Sequence, residues 1–120
     1  NVLLKQGNTD KALYQYQKAL SIHPEFTLAI SRLAVVHMIK EEYDKAISIF
    51  KKSIELQPDD AKAYYNISCM YSRKNNIEES ISWLMKAIKK GYSKWDLIKT
   101  DKDLENIRGS SYYKEIIKDH

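Results

Sequence analysis

Few side chains in this chain have the types and spacing that catalysis or metal binding requires. The histidines His23, His37 and His120 are far apart and form no ligand pattern such as H-x-x-x-H. His37 falls in an apolar helical stripe, which favours a core or interface histidine over a metal ligand. Cys69, the single cysteine, lacks a motif that would activate it and is predicted to be an inert thiol.

Paired carboxylates are the other candidates for chemistry, and they stand where turns or helix starts are predicted. Helix capping explains them without acid–base catalysis. The chain also lacks G-x-S-x-G, H-E-x-x-H and a glycine-rich phosphate loop. The sequence therefore predicts a protein that is not an enzyme and has neither a metal site nor a cofactor. The pairs are Glu41 and Glu42, Asp59 and Asp60, and Glu78 and Glu79.

The composition limits which elements could position such residues. The chain has 120 residues, 43% of them apolar and 30% charged, which suits one domain with a packed core. Three glycines and two prolines are too few for a β-sandwich, and disorder and collagen are excluded as well. One cysteine excludes an intramolecular disulfide and a cysteine-based zinc site. The longest apolar stretch, 33–39, is too short to span a bilayer, so no membrane insertion is expected.

The chain repeats a pattern of residue size and polarity. Its two prolines, Pro24 and Pro58, lie 34 residues apart. Agreement in five further columns at one period indicates an internal structural repeat. At that offset Ala12 aligns with Ala46 and Ser80, Tyr16 with Phe50 and Leu84, Ala19 with Ser53 and Ala87, Leu20 with Ile54 and Ile88, and Leu33 with Ile67.

Each repeat is predicted to be a pair of helices joined by a short turn. Apolar residues recur at three- and four-residue steps over 30–37 and again over 46–54, the spacing of one helix face. The polar residues Glu41 and Glu42 separate the two stripes. Pro58 cannot continue a helix, so it ends the second one. Two helices of about 14 residues per repeat are expected.

These residues give the sequence a resemblance to tetratricopeptide repeats. The resemblance implies an all-α fold, a right-handed superhelical solenoid of antiparallel helix pairs. It places a partial repeat at 1–26, full repeats at 27–60 and 61–94, and short capping helices at 95–120. The matching positions are Gly7, Ala12, Tyr16, Ala19 and Pro24, then Ile30, Leu33, Ala34, His37, Ala46, Phe50, Ser53 and Pro58, then Tyr64, Ile67, Ser68, Tyr71, Ser80, Leu84 and Ala87.

The last 26 residues, 95–120, break the period and are similar to the terminal segment of many prokaryotic proteins of that family. A short helix is expected over 101–108, capped by Asp101, and another over 111–118. Trp95, Leu104, Ile107, Tyr113 and Ile116 are predicted to cover the final helix pair, because the end of a solenoid must be covered. An acidic ligand site is the less favoured alternative, formed by Asp101, Asp103 and Glu105.

One face of the first helix in each repeat is a candidate partner-binding surface. In the resembled family this face lines a concave groove that receives peptides or helices. Leu28, Val35 and Ile39 are unusually apolar for a solvated face, and Met38 suits an adaptable contact. An equally weighted alternative is that these residues pack against helices that precede the chain. The candidate groove residues are Leu28, Ser31, Arg32, Val35, Met38, Ile39, Lys62, Tyr65, Asn66, Cys69, Ser72 and Arg73.

Charge adds a weaker indication of the partner. The net charge is +4, and residues 61–94 hold seven Lys and Arg against two Asp and Glu. Helical spacing spreads these charges over several faces, which favours a solvated basic face. An acidic protein or peptide partner comes next, and nucleic acid is not favoured.

The function predicted first is a non-catalytic scaffold that holds a protein segment in the groove. Two alternatives stay open: a regulatory or positioning module of a larger enzyme, and self-assembly through the apolar edge Val2, Leu3 and Leu4. Because the chain starts at Asn1, we expect it to be a piece of a longer protein. No signal-peptide pattern is visible, and a cytoplasmic location is expected.

Overall fold

The computed structural model describes the backbone of residues 26–120 and the side-chain environments of residues 29–120. The partial first repeat and the predicted apolar edge at Val2, Leu3 and Leu4 lie outside the described residues. Residues 26–120 contain helices and turns but no strand, so the all-α prediction is confirmed. The helices are α1 Phe26–Ile39, α2 Tyr43–Leu56, α3 Ala61–Arg73, α4 Ile77–Lys89, α5 Trp95–Thr100, a 3₁₀ helix Lys102–Ile107, and α6 Ser111–Ile117.

The two main helix pairs, α1–α2 and α3–α4, close through equivalent turns. Glu41 and Asn75, which are one repeat apart, both adopt a left-handed backbone with φ of 62° and 64°. The next residue then donates its amide to a carbonyl five residues back, from Glu42 to His37 and from Asn76 to Tyr71. This is the hydrogen bond of a Schellman-type helix end. The period of the sequence is therefore reproduced in the backbone.

Small residues let the helices of each pair approach closely. Ala34 and Ala46, which are fully buried, occupy these positions in the first pair. In the second pair the equivalent residues are Ser68 and Ser80. Each serine hydroxyl donates to the other residue's carbonyl, at 2.7 Å from Ser68 and 2.8 Å from Ser80. The stack of antiparallel pairs is thus an α-solenoid, as the repeat predicts.

The C-terminal segment, residues 95–120, folds back over the second pair. Leu104 and Ile107 of the 3₁₀ helix are fully buried in one apolar cluster with residues of α3 and α4, and Tyr113 of α6 joins them. Trp95 and Ile116 pack against the same cluster while partly exposed. The expected cap is present, since the Asp101 carboxylate accepts the Asp103 amide at 2.9 Å.

The predicted boundaries of the repeats and of the C-terminal segment stay predictions. Within the described part of the chain, no helix has both the length and the apolar character needed to cross a membrane.

Candidate functional site

A furrow runs between α1 and α3, the first helices of the two pairs. The two helices run in the same direction, because α1 and α3 are joined through the antiparallel α2. Two cavities lie along this furrow, one near the start of α3 and one near the ends of both helices. We call them the basic end and the acidic end, after the charged residues that line them.

The basic end is a cavity of about 220 Å³ with an apolar floor. Val35 and the buried residues Phe50 and Ala63 supply the floor. Arg32 and Lys62 are exposed at its rim. It can therefore accept an apolar side chain next to an anionic group. The complete lining is Ser31, Arg32, Val35, Phe50, Asp60, Lys62, Ala63 and Asn66.

The acidic end is a cavity of about 240 Å³, and Arg73 is the one cation among the described residues that line it. The Arg73 Nε donates to the Tyr43 hydroxyl at 3.2 Å and lies 3.5 Å from an Asp103 oxygen. Its Nη2 is 3.8 Å from Glu41 Oε1. The hydrogen bond to Tyr43 raises the pKa of Arg73 further above its usual value. The complete lining is Met38, Ile39, Glu41, Tyr43, Cys69, Met70, Arg73 and Asp103.

Ionisation of Asp103 is disfavoured in this position. Partial burial, and then the charge of nearby Asp101, raise the pKa of the Asp103 carboxyl, and Arg73 opposes them. Arg73 therefore partly compensates two carboxylates, those of Asp103 and Glu41, rather than standing as an isolated cation.

The C-terminal segment covers the part of α3 that lies behind the acidic end. The Tyr65 hydroxyl donates to Asp101 Oδ2 at 2.7 Å, and its ring stacks on Tyr92 with centroids 4.3 Å apart. Burial is the main cause that raises the pKa of Tyr65, and it raises the pKa of Tyr92 to about 12. The Asn106 side-chain amide donates to the Ser72 carbonyl at 2.8 Å.

One group of side chains in the described residues could hold a metal ion: Cys69, Asp101 and Asp103. Both oxygens of Asp101 are already engaged, Oδ1 with the Asp103 amide and Oδ2 with the Tyr65 hydroxyl. Burial raises the pKa of Cys69 well above its usual value, which keeps the thiol protonated rather than in the thiolate form that binds metals. The geometry therefore fits a helix cap better than a metal centre.

The other residues with potential chemistry have structural surroundings. His37 is buried, and its Nδ1 donates to Glu42 Oε1 at 2.9 Å, across the turn between α1 and α2. Of the residues in the acidic alternative, Asp101 caps the 3₁₀ helix, Asp103 faces Arg73, and Glu105 is exposed. None of these contacts pairs a nucleophile with a base.

The structure divides the predicted groove residues among three surroundings. Tyr65 and Ser72 are buried, because the C-terminal segment occupies the face that the sequence assigns to a partner. In the structure these two residues contact that segment, Tyr65 through Asp101 and Ser72 through Asn106. The side chain of Leu28 lies outside the described residues. The basic end contains Ser31, Arg32, Val35, Lys62 and Asn66, and the acidic end contains Met38, Ile39, Cys69 and Arg73.

Several residues of the furrow were missed by sequence reasoning. Phe50 and Ala63 are core residues that also reach the furrow. Glu41, Tyr43 and Asp103 come from a turn, the start of α2 and the C-terminal segment. A pattern search along one helix face does not include such positions. Glu41 could have been found from the sequence, because the turn that contains it directly follows α1 and therefore lies beside the end of that helix.

Comparisons with known proteins agree with the repeat pattern. A family model described as a tetratricopeptide repeat matches residues 3–67, and a second one with the same description matches residues 49–89. A search of curated proteins found no significant match. Repeats of this kind serve as protein–protein interaction modules. The first match covers more than half of the chain, and the chain belongs to the tetratricopeptide repeat family.

Proposed function

We propose that this chain is a non-catalytic scaffold that binds an extended segment of a partner protein in the furrow between α1 and α3. One observation carries the proposal: two neighbouring cavities with charged rims lie between the two helices, and one of them has an apolar floor. Peptide grooves commonly combine these features, since apolar pockets give affinity and polar rims give specificity.

The size of the furrow supports an extended segment. Lys62 and Arg73, at opposite ends of α3, are separated by about 16 Å along the axis, at about 1.5 Å per residue. An extended chain advances about 3.3 Å per residue, so about five partner residues would fill the furrow. Exposed Ile39 at the end of α1 provides further apolar area, with 73% of its surface accessible.

The absence of catalysis is part of the proposal. The side chain of His37 is held in a buried contact with Glu42, and the Cys69 thiol has a raised pKa. Neither group is placed as an activated nucleophile or a general base. A cytoplasmic location and the association of copies through the N-terminal edge stay predictions.

Affinity capture with a matched charge control tests the scaffold. The double variant Arg32→Glu, Lys62→Glu reverses two exposed charges at the basic end. The control variant Lys94→Glu, Lys114→Glu makes the same charge change at two exposed sites, one directly before the C-terminal segment and one on α6. Captured proteins would be identified by mass spectrometry, and each capture would be repeated with purified partner.

We expect the furrow variant to lose a partner that the control retains, while circular dichroism shows equal helicity for both. A partner captured equally by wild type, furrow variant and control would contradict binding at the basic end.

A further inference from the structure

The two ends of the furrow carry opposite charge. Two cations and one carboxylate line the basic end: Arg32, Lys62 and Asp60. At the acidic end the count is reversed, with two carboxylates, Glu41 and Asp103, around one cation, Arg73.

The cations at the two ends of the furrow differ in whether they already have partners within the protein. No carboxylate of residues 29–120 forms an ion pair with Arg32 or Lys62, although Asp60 lines the same cavity. Arg73, in contrast, is engaged by Tyr43, Glu41 and Asp103 together. Within residues 29–120, the basic end thus presents two cations without a carboxylate partner, while the acidic end retains a net negative charge after its internal pairing.

The helices reinforce this difference. α3 begins at Ala61, beside the basic end, and ends at Arg73, beside the acidic end. α1 runs in the same direction and ends at Ile39, which lines the acidic end. A helix carries partial positive charge at its start and partial negative charge at its end, so the start of α3 adds to the basic end and the ends of both helices add to the acidic end.

We propose that the furrow selects a segment by the order of its charges: a carboxylate at the basic end, an aliphatic side chain between the ends, and a lysine or arginine at the acidic end. This inference rests on the proposed function and names the chemistry of its partner. It also replaces the sequence expectation of an acidic partner, because a uniformly acidic segment would meet Glu41 and Asp103.

The spacing of the partner charges follows from the geometry. Side chains that face the same way on an extended segment occupy alternate residues. A carboxylate, a leucine and a lysine at positions one, three and five cover about 13 Å. The flexible lysine stem spans the remaining distance to the acidic end.

Four synthetic peptides test the order of charges, each acetylated and amidated so that the termini are neutral. The reference peptide is Ser-Glu-Ser-Leu-Ser-Lys-Ser. The second peptide has Glu at both charged positions, the third has Lys at both, and the fourth has Gln at both. Binding to the full 120-residue chain would be followed by amide chemical shifts in heteronuclear NMR titrations, which detect weak complexes.

Each ion pair that the reference peptide forms at one end of the furrow should make it bind about two- to fivefold more tightly than the Gln peptide. This is the range of affinity that exposed ion pairs contribute. The peptides with two Glu or two Lys gain at one end and lose at the other. The variant Lys62→Gln should reduce the advantage of Glu, and Glu41→Gln the advantage of Lys. Lys114→Gln, on α6, should change neither.

The outcomes separate the two proposals. Equal affinities for all four peptides would overturn the order of charges and leave the scaffold standing. If none of the four shifted resonances of furrow residues, both the order of charges and binding in the furrow would be overturned. Dimerisation of the protein alone that Lys62→Gln abolishes would replace a partner segment by a second copy of the chain.

A labelled peptide reports the orientation directly. With a nitroxide attached beyond the Lys of the reference peptide, we expect amide signals near Glu41 to broaden more than those near Lys62. The reverse pattern would overturn the proposed order of charges.

Discussion

The two helix pairs share one repeat pattern, yet their inner faces differ. Ser31 and Val35 of α1 are partly exposed in the furrow, whereas the equivalent residues of α3 are buried: Tyr65 does not line the furrow, and Cys69 borders its acidic end with only 3% of its surface accessible. The C-terminal segment accounts for the difference, because Leu104 and Ile107 pack in the apolar cluster that contains both buried residues. Equivalence within a repeat therefore predicts the helix and its turn, but the packing of the next segment decides whether a face is available.

The largest expected effect concerns the C-terminal segment, which covers one face of α3. Leu104 is fully buried, so Leu104→Ala leaves a cavity and should lower the free energy of unfolding by about 2–5 kcal/mol. Leu97, in the same segment, is 41% exposed, and Leu97→Ala should cost no more than about 1 kcal/mol. Urea denaturation followed by circular dichroism measures both. Equal losses would contradict the assigned packing of the segment.

The next effect compares the small residues between the helices of each pair. Ser68 and Ser80 exchange two hydrogen bonds where the first pair has Ala34 and Ala46. Either single change to alanine should lower the free energy of unfolding by about 1 kcal/mol. The double variant reproduces the apolar arrangement of the first pair and should cost less than the sum. A strictly additive double-mutant cycle would show that the hydroxyls act independently.

The sequence predicted most of the fold because its main signals are local. The period of 34 located the turns, the prolines and the small contact residues, and α1 to α4 follow it. Asp101 was identified as a cap for the same reason, since its partner Asp103 is two residues away. The 3₁₀ geometry of 102–107 was not foreseen, because six residues carry no clear helical period.

The candidate site was predicted less completely because it depends on contacts between distant residues. Arg32 and Lys62 were found by their position on one helix face. Tyr65 was placed on the same face, but its hydroxyl contacts Asp101, 36 residues later. The sequence of α3 alone does not determine whether the face that carries Tyr65 is exposed or covered by the C-terminal segment.

The turns allow a smaller effect to be tested. Glu41 and Asn75 adopt the same left-handed conformation, which asparagine tolerates better than glutamate. We expect Glu41→Asn to raise the free energy of unfolding by less than about 1 kcal/mol, and Asn75→Glu to lower it by a similar amount. Thermal unfolding measures both changes. Glu41→Gln removes the charge without relieving the backbone, so equal gains from Gln and Asn would point to charge instead.

The smallest effect is a pH dependence of opposite sign at the two carboxyls Glu42 and Asp103. A hydrogen bond from His37 is the main cause that lowers the pKa of Glu42 from its usual 4.5, whereas burial is the main cause that raises that of Asp103 from 3.8. A lowered folded-state pKa gives stability above the unfolded value, and this stability is lost as the pH falls through the folded value. A raised folded-state pKa gives stability at low pH that is lost as the pH rises.

Between about pH 3 and 7, wild type should therefore gain stability relative to Glu42→Gln and lose it relative to Asp103→Asn. Urea midpoints of the three proteins at each pH measure the two differences. Slopes of the same sign would mean that the turn between α1 and α2 and the acidic end of the furrow do not differ in how they solvate a carboxylate.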